Sequence, residues 1–359
     1  MRPVINWKPL NQYLQKLHFK MDTITKVLNL VKQGDWAISL DLKDAYFHVQ
    51  IFKKHRKFLR FCVNNQVYQF KALCFDPTSS PRVFTKVVSV VASHLKKQNI
   101  RLAIYLDNRL GVNQVKPKLI QDREIMLNLL ARLGFLINVD KSNLTPNQSI
   151  TYIGDLFKLD QGIVLPTQER VQGIISAVHS LMNDKITARH YLHLLGNLAS
   201  CLELIPNARL FMRPIQLHLL ENWSPSKMSL DFQIPCTQML KTHLKWWLSL
   251  ANITQGRSLI LSQQTVTITT DASLTGWGGH MKNQTVQGLW TEQMKLQHIN
   301  NLELQAVFLT IKKFQKLLQK KEVLVRTDNT TVVQYINKQG GTHSLQLCQQ
   351  AWGLWLFAL

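Results

Sequence analysis

Two aspartates set inside apolar, strand-like runs constrain this chain more than any other feature. Asp41 stands in Ser39-Leu-Asp-Leu-Lys-Asp-Ala-Tyr-Phe-His48, and Asp107 in Arg101-Leu-Ala-Ile-Tyr-Leu-Asp-Asn-Arg-Leu110. A carboxylate among apolar neighbours is costly to desolvate unless a cation or another polar group meets it. Two such strands, if neighbours, predict a shared site, and a pair of divalent ions held by hard carboxylate oxygens is one chemistry that needs it. Capped or salt-bridged aspartates satisfy the same pattern, and spacing alone leaves both readings open. Asn108, directly after Asp107, is neutral.

The basic residues number 43 against 21 acidic, a net charge of +22. The excess is distributed: 25 basic and 11 acidic residues over 1–160, then 18 and 10 over the remainder. That distribution suits an extended polyanion groove better than a single docking patch. The five cysteines are far apart with no C-x-x-C pair, which argues against a disulfide framework or a zinc site and for a reducing interior. No apolar run reaches the length of a membrane span, and the amino terminus has no signal layout. The sequence therefore predicts a soluble intracellular chain, in cytoplasm, nucleus or both, with no membrane partner.

Periodicity predicts strands over 36–42, 45–51, 58–63 and 67–73, with Lys53-Lys-His-Arg-Lys57 as a cationic hairpin tip. It further predicts a helix over 80–98 with Pro81 in its first turn, a strand over 101–107 and a helix over 119–133. A strand broken by Gly154 follows over 150–157. Residues 165–260 read as mostly helical, with Trp246 and Trp247 as core residues. Beyond them come a strand over 265–273, a turn at Gly276-Trp-Gly-Gly279, a returning strand over 285–290, a helix over 300–314 capped by Asn300, a strand over 322–329 and a helix over 330–338. This order sets Asp271 at a strand end, Glu303 on a helix and Asp328 at a second strand end, a second acidic trio.

Asp41-Leu-Lys-Asp-Ala-Tyr46 and Tyr105-Leu-Asp-Asn108 resemble the first catalytic motif and the Tyr-x-Asp-Asp box of retroelement reverse transcriptases. In the family's order stand Met1–Asn11, similar to a fingers strand with a triphosphate-binding arginine, here Arg2; Ser79-Ser-Pro-Arg-Val-Phe84, similar to the helix behind template and nucleotide; Gly134–Ser142 with Lys141 near the leaving pyrophosphate; and Tyr152-Ile-Gly154, similar to the primer-grip hairpin. Asp271, Glu303 and Asp328 resemble a ribonuclease H trio. Arg326–Gly341, with Tyr46-Phe-His48 and Pro81-Arg-Val-Phe84, is most like DIRS-like retrotransposons, which encode a tyrosine recombinase.

The resemblance implies an α/β fold: a right-hand fingers and palm over 1–160, a helical thumb and connection over 161–262, and a ribonuclease H-like mixed sheet with helices over 263–359. It implies Mg2+ or Mn2+, two per site, on Asp41 and Asp107 and again on Asp271, Glu303 and Asp328. Asp44 and Ala45 would meet the triphosphate, and Tyr46 would stack under the sugar to favour deoxynucleotides, although alone it reads as a core aromatic. The implied partners are an RNA template, a DNA primer, an RNA/DNA hybrid and deoxynucleoside triphosphates. Three departures from the family pattern bear on catalysis: Asn108 in place of a carboxylate, Asp76-Pro77 where Gly-Leu is usual, and Arg109 at a position usually apolar or aromatic. The resemblance also leaves an upstream lysine and a fourth ribonuclease H residue without counterparts, and predicts no closing helix, an incomplete last core and weak or no cleavage. An impaired copy that keeps the fold and binds nucleic acid is the alternative.

Overall fold

Alternating apolar residues in Trp36–Asp41 form strand β1, with Ala37, Ile38 and Leu40 buried. The structure, a computed structural model, describes residues 5–182, 186–260 and 265–359. The fold is mixed α/β, and the chain divides into two units, residues 1–167 with 258–260 and residues 168–257 with 261–359. Among the described residues no helix is long and apolar enough to cross a membrane.

In the first unit, short strands β2 (Arg60–Val63) and β3 (Gln66–Gln69) pair as a hairpin. Helix α1 (Ser80–Lys97) opens with Pro81 and buries Phe84, Val88, Val91, Ala92 and Leu95 at helical spacing. Strands β4 (Arg101–Tyr105) and β5 (Asn108–Asn113) follow, then helix α2 (Lys116–Arg132) and strand β6 (Asn143–Asn147). The sheet order is β4-β5-β1-β6, with antiparallel pairing throughout. One core joins Ile38, Leu40 and Leu102 of the sheet to Phe84, Val88 and Leu95 of α1 and Met126 and Leu130 of α2. Burying each such side chain contributes about 1.5–3 kcal/mol, which is what holds the helices to this sheet.

Several expectations are corrected here. The run 45–51 is not a strand: Asp44 takes a left-handed φ of 51°, and Ala45–His48 closes into a 3-10 turn. Lys53–Phe58 is likewise a 3-10 turn rather than a hairpin tip. The strand predicted over 101–107 ends at Tyr105, turns at Leu106-Asp107 and returns as β5. The break at Gly154 is a full reversal, with β7 (Ser149–Tyr152) and β8 (Asp155–Lys158) antiparallel and β9 (Ile163–Pro166) beside β8. Lys8–Asn11 is a short helix rather than a fingers strand, and Arg2 lies outside the described residues.

In the second unit, helices α3 (Gln168–Leu181), α4 (Ala188–Ser200), α5 (Ala208–Asn222) and α6 (Gln238–Trp246) enclose a core around Ile174, Tyr191, Leu194 and Ile215. Trp247 is fully buried there, and Trp246 stacks on Phe211 at 4.1 Å. Strands β10 (Thr265–Ala272), β11 (Gly276–Met281), β12 (Gln284–Leu289) and β13 (Glu322–Arg326) form a sheet ordered β12-β11-β10-β13, in which β10 and β13 run parallel.

Gly276–Gly279 thus belongs to a strand, not a turn. Gly279 serves close packing: a Cβ there would lie 2.9 Å from Cβ of Thr310 on helix α7 (Ile299–Lys313). The cap of α7 is His298, whose Nδ1 accepts from the Asn300 amide at 3.1 Å; Asn300 instead accepts from the Asn329 side chain at 2.8 Å. Helix α8 (Thr330–Asn337) is followed by α9 (Leu345–Ala358). Leu347, Ala351 and Leu354 of α9 share a core with Leu304, Val307, Val332 and Tyr335, where the sequence predicted no closing helix.

Candidate functional site

Register decides where the first acidic pair sits. Asp41 ends β1 directly opposite Asn108, and Asn108 is in turn opposite Tyr105 on β4. The box thus spans two strands: Tyr105 ends β4, which β5 separates from β1, while Asn108 begins β5 and pairs with Asp41 directly. Asp107 still reaches β1, because its backbone carbonyl accepts from the Leu42 amide at 3.0 Å. Leu106 holds the turn with a left-handed φ of 52°, an unusual conformation for a side chain branched at Cγ and one that recurs at functional sites.

The segment 136–142 braces Asp41 from the other side. The Asp41 amide donates to Ser142 Oγ at 2.9 Å, the Asn138 amide to the Asp41 carbonyl at 2.8 Å, and the Lys43 amide to the Leu136 carbonyl at 2.9 Å. Lys141 is exposed on the 3-10 turn Val139–Lys141 within this brace. Ala45 is buried and Asp44 half-buried beside it. Tyr46 is buried against Phe75 and Phe84 at ring distances of 4.9 and 5.1 Å, and burial with the charge of Asp107 pushes its hydroxyl pKa up. Asp76 carries a φ of 76°, a left-handed position that glycine adopts freely, and the Asn11 side chain brackets it by bonding the Asp76 carbonyl and the Thr78 amide.

Two residues that the sequence reading did not place at this pair, Tyr152 of the primer-grip-like run and Arg109, meet its backbone. Tyr152 donates its hydroxyl to the Asn108 carbonyl at 3.2 Å, and burial raises its pKa. Arg109, noted only as a departure, is 1% exposed; its Nη1 donates to the Asp107 carbonyl at 3.1 Å. Burial lowers its pKa to about 10, against the charges of Tyr152, Asp107 and Asp41, so it stays cationic at neutral pH. Two carboxylates, a neutral Asn108 and a buried guanidinium do not fit a pair of divalent ions.

The second trio does fit one. Asp271 ends β10, Asp328 follows β13, and Glu303 projects from the buried side of α7. Among the described residues these three carboxylates form the one His/Cys/Asp/Glu group with ligand atoms within 4.8 Å of one another. Glu303 is 4% exposed and its Oε2 has no hydrogen-bond partner. Burial, then the charges of Asp271 and Asp328, raise its pKa to about 7. An unpartnered buried carboxylate oxygen between two exposed carboxylates is what a hard cation relieves.

Residues 1–156 match the family described as reverse transcriptase (RNA-dependent DNA polymerase). An enzymatic polyprotein of Carnation etched ring virus is 25% identical over 99% of this chain and 53% of its own length, and that of Cauliflower mosaic virus (strain Strasbourg) is 23% identical over 94% and 49%. The chain thus spans about half the length of the curated relatives it matches. A foamy viral protease-reverse transcriptase in complex with double-stranded DNA has a TM-score of 0.61 at 15% identity, covering 99% of this chain and 61% of that one. A foamy viral protease-reverse transcriptase in complex with an RNA/DNA hybrid gives 0.59 at 14%, covering 99% and 46%. The reverse transcriptase fold predicted from the two acidic motifs is therefore the fold this chain has.

Proposed function

We propose that this chain binds nucleic acid through its reverse transcriptase fold and cleaves the RNA strand of an RNA/DNA hybrid at Asp271, Glu303 and Asp328. The observation that carries this reading is the convergence of those three carboxylates within 4.8 Å around the unpartnered Oε2 of Glu303. Two Mg2+ or Mn2+ ions, when bound, supply an activated water and counter-charge for the phosphate. Asp271 and Asp328 hold the solvent side of that centre, and Glu303 fixes its floor from a buried helix face. The 2′-hydroxyl beside each phosphate distinguishes RNA from DNA. The foamy viral neighbour bound to an RNA/DNA hybrid supports this substrate class.

In the finer assignment, residues 1–160 are fingers and palm, 161–262 thumb and connection, and 263–359 the ribonuclease H-like domain. The palm takes template, primer and deoxynucleoside triphosphate, with Arg2, Asp44, Ala45 and Lys141 at the triphosphate and Tyr46 under the sugar. A DIRS-like origin rests on the runs around Tyr46, Pro81 and Arg326. RNA-directed DNA synthesis through Asp41 and Asp107 is impaired in this copy; the observation favouring that second reading is Asn108 beside the buried Arg109.

The test is cleavage of a labelled RNA strand annealed to DNA, in Mg2+ and in Mn2+. Weak cleavage is expected, with Asp271→Asn, Glu303→Gln and Asp328→Asn each lowering the rate about a further 100-fold or more, since each removes part of the charge that holds the ions. No cleavage, or cleavage indifferent to these substitutions, overturns the reading.

A further inference from the structure

We infer that the cavity enclosed by helices α5, α6 and α9 of the second unit is a binding site for a flat, uncharged aromatic small molecule. The inference goes beyond the hydrolytic reading of Asp271, Glu303 and Asp328 and does not depend on it. Helical spacing gives α9 two working faces: Leu347, Ala351 and Leu354 fill the core shared with Leu304 and Val307 of α7, while Leu345, Gln349 and Trp352 line the cavity. Pro214 and Leu217 of α5 and Met239 of α6 complete its apolar lining. The cavity measures about 430 Å3, within the range of roughly 300–1,000 Å3 typical of small-molecule sites. Leu345 and Met239 are 49% and 71% exposed and form its mouth. Polar bonds beside the cavity fix its walls: the Leu210 amide donates to Gln339 Oε1 at 3.1 Å, Arg213 Nη2 to the Lys338 carbonyl at 3.0 Å, and Gln339 Nε2 to Asn207 Oδ1 at 3.0 Å, which ties α5 to the turn between α8 and α9.

The lining offers a ligand little free charge. Arg213 spends Nη1 on Gln216 Oε1 and Nη2 on the Lys338 carbonyl, and Glu221 lies exposed. His218 is committed on both ring nitrogens, to the Tyr191 hydroxyl at 2.8 Å and to Thr237 Oγ1 at 3.3 Å. Burial lowers the pKa of His218, against the charge of Glu221, and that of His243, so both rings are neutral at neutral pH. What remains is aromatic and apolar surface: His243 meets the Trp352 ring edge to face at 5.9 Å and 79°. Flat rings pack into such surroundings offset or edge to face. Trp352 Nε1 is buried without a hydrogen-bond partner, a donor that a carbonyl or ring nitrogen on the ligand satisfies.

The test is titration of the intact chain, in EDTA so that the acidic trio plays no part, with an uncharged diethylaminocoumarin and with the same dye bearing a carboxylate; the fluorescence of both rises in apolar surroundings. One uncharged dye is expected to bind per chain with a Kd below roughly 100 μM. The carboxylate dye is expected to bind at least about tenfold more weakly, although the net charge of +22 attracts it. Trp352→Ala weakens the uncharged dye about tenfold or more, whereas His243→Phe, which keeps a flat neutral ring, holds it within about threefold. No binding, several dyes per chain, equal affinity for the two dyes, or binding unchanged by Trp352→Ala overturns the inference. So does a His243→Phe loss as large as that of Trp352→Ala. A dimer that the dye dissociates also overturns it, since the occupant is then a second copy of this chain. Stoichiometry and charge preference are read on the unaltered chain, so they decide the matter whatever the fate of the variants.

Discussion

Asn108 and Arg109 are adjacent in sequence, but their effects on catalysis differ in kind. Replacing Asn108 by aspartate restores a ligand and leaves the guanidinium in place. Primer extension on an RNA template is therefore expected to stay near background for Asn108→Asp and to rise about tenfold or more for Asn108→Asp combined with Arg109→Leu. Rescue by Asn108→Asp alone contradicts this. Glu303 makes a second prediction at this scale. Its pKa of about 7 lies above the ordinary value of 4.5, so between those limits the folded protein holds a proton that the unfolded chain has released. Metal-free stability must then fall as pH rises through that window and level off above it. Melting in EDTA across the window checks the slope, which Glu303→Gln abolishes. Mn2+ binding to the trio moves the other way, strengthening as pH rises because the ligand must be ionised.

At the scale of elements, periodicity made helix α1 legible, since Phe84, Val88, Val91 and Leu95 recur on one face and Pro81 marks its start. Two strands were hidden for opposite reasons. Strand β5 was missed because Leu106 carries the chain reversal in a left-handed conformation that nothing in leucine advertises. Strand β11 was misread because Gly276, Gly278 and Gly279 look like turn residues, whereas Gly279 is small so that α7 can lie against the sheet. Gly279→Ala is accordingly expected to destabilise the second unit by about 1–3 kcal/mol, as overpacking does. A chemical denaturation curve measures it, and a loss within error of zero shows that Thr310 moves aside at no cost.

For the whole molecule the controlling quantity is the net charge of +22. If phosphate contacts dominate, affinity for a duplex or hybrid falls steeply with salt, by about tenfold or more between roughly 50 and 200 mM. Fluorescence anisotropy with a labelled hybrid checks this, and an affinity independent of salt removes the polyanion reading. The same excess in both halves of the chain was readable from composition alone, although composition names no partner.

The sequence by itself determined the local terms: which segments alternate, where helices start, that two aspartates stand in apolar runs, and that three further carboxylates stand at strand ends or on a helix. Those follow from interactions between residues close along the chain. Tertiary structure alone decided that β5 separates β1 from β4, that Asp271, Glu303 and Asp328 meet within 4.8 Å, and that Arg109 is buried with its Nη1 on the Asp107 carbonyl. Each depends on strand order and on the energy of charges brought together from distant positions, and neither is encoded in any window of the chain.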